Sequence, residues 1–321
     1  GLLPVYLTRT LLADTHTDLG ATRYRLGDPQ QALTHLELAL SLRQQAIRDF
    51  ELDTEVATWP DEDKSAERDY LLSDLQFKKL GTGAAFFRAG RFSDAEPLLK
   101  EVYSQSRTAL DADPSNPRLR NDYVGEAGLW AEFLGFSGRG EEALAVLELA
   151  GKHIDQLLAD DPAGVTFRRT ASVALYRLSQ WRKELQQGDA DAPLSQCLEI
   201  RQTLASNEPH NDRRQLDLML ALARSGRADE TIAIAERYLK SPNPDTEMLI
   251  EIARSLAQAS LAEGSGSPRT SIQAQAMNAL QLARQEGFRD AVFLNGEPDL
   301  KPLNELTEFK ELIAGIADVK L

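Results

Sequence analysis

Apolar side chains recur along most of this chain at spacings of three, four and seven residues. Leu216, Met219, Leu220 and Ala223 form one such stripe, and residues 143–150 contain another. This period places the apolar residues on one face of an α-helix. No run of four or more positions alternates β-branched or aromatic residues with polar ones. The pattern therefore predicts an all-α protein.

Five glycines separate the helical stripes in a regular way. They are Gly27, Gly90, Gly138, Gly188 and Gly226. The residues five positions further on are mostly small: Ala32, Ala95, Ala143, Pro193 and Thr231. Glycine adopts at low cost the left-handed backbone that ends a helix, and small residues let two helices approach closely. The pattern predicts antiparallel helix pairs, each joined by a tight turn.

One helix pair cannot bury both of its faces, so neighbouring pairs must stack. The chain length of 321 residues alone would suggest about two domains. The repeated turns instead predict one α-solenoid over residues 1–321, with about six pairs and a C-terminal cap. The predicted pairs span residues 5–52, 64–113, 117–161, 165–208, 212–241 and 246–287, and the cap spans 288–321.

Two of the turns, residues 27–32 and 226–230, resemble the turn of the tetratricopeptide repeat. The closing proline of that repeat also recurs, as Pro114, Pro162, Pro209 and Pro242. In the second and third repeats the distance from glycine to proline is seven residues longer than usual, which is two helical turns. The resemblance implies a right-handed α-solenoid of tetratricopeptide-like pairs with elongated second helices and a capping helix.

The C-terminal segments 293–303 and 309–312 resemble the ending of bacterial serine/threonine protein kinases of the planctomycete type. Those proteins carry a kinase domain followed by a tetratricopeptide array, and residues 8–43 are similar to their first repeats. The resemblance implies that this chain is the docking or sensing region of a larger kinase. A stand-alone adaptor and a self-assembly module are the alternatives. Since the chain begins at Gly1 rather than methionine, we treat it as part of a longer protein.

The charge balance narrows the choice of partner. The chain has 36 Lys and Arg against 50 Asp and Glu, a net charge of −14. Nucleic acids and anionic membranes both select clustered basic residues, so this balance disfavours them. The single cysteine, Cys197, excludes an internal disulfide and a thiolate-rich metal site. We expect a cytoplasmic location, or an extracytoplasmic one if the parent kinase is anchored in a membrane.

Catalytic motifs are missing from the sequence. It contains no glycine-rich loop, His-Arg-Asp or Asp-Phe-Gly segment of a kinase, and no phosphate-binding lysine motif. The four histidines, His16, His35, His153 and His210, are too far apart to form a local pair of metal ligands. We therefore expect no enzyme activity, cofactor or metal. An all-helical enzyme with a site in the solenoid groove is the less favoured alternative.

The residues just before each turn glycine predict a binding surface. Solenoids of this kind hold a peptide or protein on the concave face, which the first helix of each pair lines. The candidate partner-binding residues are Tyr24, Arg25, Phe87, Arg88, Phe136 and Arg224. Together they would grip an acidic or aromatic peptide, and a homo-oligomer is a further possibility. The interaction of a basic residue with the helix dipole alone also explains the arginines, and it is the favoured explanation.

Overall fold

The computed structural model describes residues 3–241 and 244–317, and these form α-helices, 3₁₀ turns and connecting loops with no strand. The all-α class predicted from the sequence is confirmed. Gly1, Pro242 and the last four residues of the predicted cap lie outside the described residues. The chain divides into two compact units, residues 1–102 and 103–321. A single continuous superhelix over the whole chain stays a prediction.

The first unit consists of two helix pairs. Its helices are α1 (Val5–Arg25), α2 (Pro29–Leu52), α3 (Asp61–Arg88) and α4 (Phe92–Ala112), the last of which continues into the second unit. α2 packs against both α1 and α3, so the pairs are stacked. The connection between α2 and α3 contains a 3₁₀ turn, Val56–Thr58. Its Val56 is buried together with Tyr6, Phe50 and Leu71.

The second unit continues the pattern of pairs. Its helices are α5 (Pro117–Phe136), α6 (Gly140–Gly151), α7 (Ile154–Asp160), α8 (Val165–Leu185), α9 (Asp191–Asn207), α10 (Asp212–Arg224), α11 (Ala228–Leu239), α12 (Thr246–Ala259), α13 (Arg269–Gln285), α14 (Ala291–Gly296) and α15 (Thr307–Ala317). The pairs are α5/α6, α8/α9, α10/α11 and α12/α13, and each second helix also packs on the first helix of the next pair. The first helices α5, α8, α10 and α12 are therefore neighbours in a stack.

The turn glycines adopt the predicted backbone. Gly27, Gly90, Gly138 and Gly226 have φ between 75° and 80°, in the left-handed region that side chains disfavour. The fourth turn differs, because Gln186 itself takes the left-handed conformation with φ 53°. Gly188 in the same turn is also left-handed, with φ 65°.

The small residues that follow the turns lie where the helices touch. Ala32, Ala95 and Ala143 are completely buried. A Cβ added to Gly135, at the end of α5, would lie 2.0 Å from Cζ2 of Trp181 on α8. Small residues therefore lie at close contacts between helices.

The second helix of the third pair differs from the expectation of one elongated helix. α6 ends at Gly151, and the expected extension is a separate short helix, α7, after the kink at Lys152 and His153. Glycine is a poor helix former, and the break lets Ile154 and Leu157 reach the core. In contrast, the second helices α2 and α4 are continuous over 24 and 21 residues.

The C-terminal segment runs through α14, a 3₁₀ turn (Pro298–Leu303) and α15. The predicted capping helix corresponds to α15, which buries Phe309, Leu312 and Ile316 and packs against α13. The 3₁₀ turn takes a different place, because it packs on the first helix α12. That contact puts part of the tail on the face predicted to bind partners.

Candidate functional site

An open groove of about 630 Å³ lies on the face of α5, α8, α10 and α12. Gly125 and Gly128 of α5 form one side, with Thr166 and Thr170 of α8 beside them. A Cβ added to Gly128 would meet no atom within 4 Å. Because a side chain here would project into open space, the absence of one widens the groove.

Three arginines line the groove: Arg169 of α8 with Arg213 and Arg214 of α10. Arg169 and Arg213 both pair with Asp217, at 3.2 Å and 3.1 Å. Burial favours a raised pKa for Asp217, but Arg201, Arg213 and Arg169 together hold the pKa of this carboxyl below its ordinary value. The buried carboxylate therefore fixes the two arginines in place.

Basic residues line the groove although the chain is strongly acidic. Each of its three arginines is paired with a carboxylate: Arg169 and Arg213 with Asp217, Arg213 also with Glu247, and Arg214 with Glu208. Arg169 uses only its Nε atom in hydrogen bonding to the described residues. Each guanidinium has five N–H donors, so the terminal nitrogens of Arg169 remain able to bind an acceptor.

The other part of the same helix face already holds the part of the C-terminal segment of the chain itself that consists of α14 and the 3₁₀ turn. Asp299, in the 3₁₀ turn after α14, is completely buried. Its carboxylate accepts hydrogen bonds from the Tyr176 hydroxyl at 2.8 Å and from Arg254 at 2.8 Å, and it forms an ion pair with Arg224. Burial opposes ionisation, yet Arg224 and Arg254 hold the pKa of Asp299 far below its ordinary value. The carboxylate is therefore charged and clamped.

Backbone and side-chain contacts continue along this segment. Gln258 of α12 donates to the Asp299 carbonyl at 3.0 Å, and Gln273 of α13 donates to the Pro302 carbonyl at 2.9 Å. Glu297 accepts a bond from the Asp299 amide at 3.1 Å, while burial raises the pKa of this carboxyl. The segment is held by the same kinds of contact that hold a bound peptide.

Two of the six predicted binding residues contact this segment. Arg224 is buried and pairs with Asp299. The centre of the Phe136 ring lies 6.5 Å from that of the Phe293 ring. Phe136 also contacts Gly296, where an added Cβ would lie 2.5 Å from Phe136 Cδ1. Both residues face the chain's own tail, so they are not open to a separate partner in this structure.

The remaining predicted residues lie in the first unit. The Arg88 guanidinium is 5.7 Å from the centre of the Tyr24 ring, so the structure brings these two together. Arg25 is exposed. Phe87 is completely buried and belongs to the core. A role for Tyr24, Arg25 and Arg88 in binding stays a prediction.

Sequence reasoning missed the groove arginines and the clamp around Asp299. Arg169 and Arg213 lie near the start of their helices, far from the turn glycines that guided the prediction. Asp299 is 75 residues from Arg224. The one available signal was the unusual composition of residues 293–303, which was interpreted as part of a cap.

In residues 3–241 and 244–317, no group of three or more His, Cys, Asp or Glu residues is arranged to hold a metal ion. Cys197 is buried, and burial raises the pKa of its thiol, which disfavours the reactive thiolate. Within the same residues, no helix is both long and apolar enough to cross a membrane.

No family model matches this sequence, and the comparison with curated proteins returns no match. Among solved structures, the chain is similar to a tetratricopeptide repeat protein from Parabacteroides merdae, with 11% identity, a TM-score of 0.42, and coverage of 96% of this chain and 100% of the other. It is also similar to the tetratricopeptide domain of P58(IPK), at 16% identity, TM-score 0.26 and coverage of 96% and 99%. The chain is similar to yeast Tom70 at 12% identity and a TM-score of 0.22, with coverage of 96% of this chain and 92% of the other. These TM-scores are low, so the helix pairing described above comes from this chain's own contacts.

Proposed function

We propose that this chain is a non-catalytic protein-interaction scaffold that binds an extended segment of a partner protein in the groove of α5, α8, α10 and α12. The observation that carries the proposal is that the same face already holds residues 293–302 of the chain, the end of α14 and most of the 3₁₀ turn, through side-chain and backbone contacts. A surface that binds one segment through side-chain and backbone contacts suits a second segment beside it.

The open and filled parts of the groove share one helix face. Arg169 and Tyr176 on α8 are seven residues apart, as are Glu247 and Arg254 on α12, which is two helical turns. Arg213 and Arg224 on α10 are eleven residues apart, or three turns. A segment bound at the open end would therefore extend the line of the docked tail.

The guanidinium donors of the groove arginines favour an acidic partner segment. The arginines are held in fixed orientations by Asp217, so little side-chain entropy is lost when a carboxylate binds them. The threonine hydroxyls of α8 and the open floor at Gly128 suit a chain lying lengthwise. We therefore propose an acidic peptide rather than an aromatic or basic one.

An array of short synthetic peptides with acidic, neutral and basic compositions tests this choice. The protein should retain acidic peptides, and Arg169→Ala should reduce that retention. Arg237→Ala, on the exposed side of α11, is the control for loss of one positive charge. Equal retention of all three compositions, or no effect of Arg169→Ala, would contradict the proposal.

We further propose that the chain is the docking or sensing region of a larger bacterial serine/threonine kinase. The resemblance of residues 293–303 and 309–312 to the ending of such kinases supports this. The open reading frame upstream of Gly1 tests it. A kinase catalytic domain in the same frame is expected, and a frame that starts at this chain would overturn the kinase proposal while leaving the scaffold proposal intact.

Self-assembly is a second candidate function, and the outer face of α1 favours it. Val5, Leu12, Leu19 and Leu26 recur every seven residues and are all exposed. Between them, the hydroxyls of Thr8, Thr15 and Thr22 donate to carbonyls of their own helix, which leaves their methyl groups on the surface. This is the spacing of a coiled-coil seam, and a second copy presents the same seam about a two-fold axis.

Sedimentation over a wide concentration range tests self-assembly. A dimer that Leu12→Glu with Leu19→Glu converts to a monomer would support the seam. A monomer at every concentration would eliminate this candidate.

A further inference from the structure

Two histidines that are distant in the sequence meet between α1 and α2. The Nδ1 atoms of His16 and His35 are 3.0 Å apart. The ring centroids are 5.3 Å apart and the ring planes differ by 27°, so the two imidazoles meet end to end through these nitrogens. Both residues are half-buried, so solvent ions can reach them. The separation of 19 residues explains why local spacing did not reveal the pair.

The helices hold the two imidazoles in fixed positions. α1 and α2 are in close contact at Gly20, where an added Cβ would lie 2.6 Å from Cγ of Leu36. Ala13 and Ala39, which lie one helical turn from His16 and His35, are completely buried. Because tightly packed helices cannot slide past each other, the two ligand groups are positioned in advance of any binding.

The arrangement suits a shared ligand. In the hydrogen-bonded pair, the Nδ1–H of one neutral imidazole donates to the bare Nδ1 of the other. If the donor ring moves its proton to Nε2, both Nδ1 lone pairs are free and both rings remain neutral. Metal–nitrogen bonds of about 2.0–2.1 Å place two tetrahedral ligands about 3.4 Å apart. The observed distance of 3.0 Å is shorter than that value, so both rings must tilt to direct their lone pairs at one ion.

The surroundings decide which ions fit. The positions three or four residues from either histidine, on both helices, carry no carboxylate: Leu12, Ala13, Leu19, Gly20, Gln31, Ala32, Leu38 and Ala39. Imidazole suits copper, nickel and zinc, whereas calcium and magnesium need oxygen ligands. With two protein ligands, the other coordination positions are open to water or to a group from a partner.

We propose that His16 and His35 form a binding site for one first-row divalent transition metal ion, with zinc or nickel as the test ion. The site is independent of the groove, since it lies on another face of other helices. It rests on the geometry of two facing imidazole nitrogens on rigid helices.

Isothermal titration of the intact protein with zinc chloride, and separately with nickel chloride, tests the site. We expect one ion per chain, with heat that is lost in His16→Ala and in His35→Ala. The matched control is His153→Gln with His210→Gln, which removes the other two histidines and should leave binding unchanged. Far-UV circular dichroism shows whether each variant is folded.

A measurement on the unaltered protein keeps the test decisive even if a variant misfolds. In ¹⁵N spectra of the histidine side chains, zinc should shift the ring nitrogens of two of the four imidazoles and leave the others in place. Absence of binding by the unaltered protein would overturn the proposal. So would binding that survives in folded His16→Ala, or zinc shifts confined to His153 and His210.

Discussion

Arg224 and Asp299 form a buried ion pair between the first helix α10 and the C-terminal segment, 75 residues further along the chain. Arg254 of α12 shares the same carboxylate, and the Tyr176 hydroxyl of α8 donates to it. These contacts on Asp299 together join the three first helices α8, α10 and α12 to the C-terminal segment. Arg224 was predicted to contact a partner, and in the structure it anchors the chain's own C-terminal segment.

Removing Arg224 should destabilise the protein strongly. Arg224→Ala leaves Asp299 in a dry site with one of its two cations missing, and breaking such a pair costs about 3–5 kcal/mol. Arg227→Ala, which removes an exposed pair with Glu230 in the next turn, should cost less than about 1 kcal/mol. Urea denaturation gives both free energies of unfolding. Similar losses in the two variants would mean that the tail clamp contributes little.

Two glycines of α5 should respond in opposite directions to the same substitution. Gly128→Ala adds a methyl group to open space and should stabilise the helix by about 1 kcal/mol. Gly135→Ala drives a Cβ into Trp181 and should cost about 1–3 kcal/mol. Thermal unfolding checks both, and a shift of the same sign in both variants would show that the packing of α5 on α8 is wrong.

Overpacking should reveal the register of the third pair. Ala143 is completely buried at the contact of α6 with its neighbours. Ala143→Trp should lower the free energy of unfolding by about 1–3 kcal/mol or more, because the helices must move apart. An unchanged melting temperature would contradict the pairing.

Glu126 of α5 should make stability depend on pH. Burial raises the pKa of this carboxyl to about 7, with Ser106 opposing and Asp122 adding to the rise. In the unfolded chain it titrates near 4.5, so the stability it contributes is complete below pH 4.5 and is lost as pH rises towards 7. Glu126→Gln should therefore raise stability at pH 8 by up to about 3 kcal/mol, and change little at pH 4.

Melting curves of the unaltered protein and Glu126→Gln at several pH values measure this effect. Glu141→Gln, at an exposed position of α6, is the control. A constant difference between Glu126→Gln and the unaltered protein from pH 4 to pH 8 would contradict the assignment.

Local signals in the sequence were sufficient for the helix pairs. The left-handed turn at Gly27 and the burial of Ala32 could be predicted because few residue types suit these two places, and these types recur at short spacings. Contacts that depend on distant parts of the chain could not be predicted in this way. Asp299 reaches Arg224 only through the return of the tail, and His16 meets His35 only once α1 and α2 are in register.

Whether a side chain points into the core or towards the solvent was also hard to predict. Phe87 and Tyr24 occupy equivalent places before their turn glycines, but Phe87 is completely buried and Tyr24 is half-buried. The neighbouring helices decide this, since position in the repeat leaves both the surface and the core open to an aromatic ring.

The central claim is that the open groove beside Gly128 binds an extended acidic segment. Fluorescence polarisation of an acidic peptide chosen from the array, measured with Gly128→Trp and Gly128→Ala, tests it most directly. Gly128→Ala should bind like the unaltered protein, because its methyl group meets no atom of the groove. Gly128→Trp should fill the groove and weaken binding by about tenfold or more, a loss of about 1.4 kcal/mol. Equal affinity of the folded Trp and Ala variants would contradict the claim.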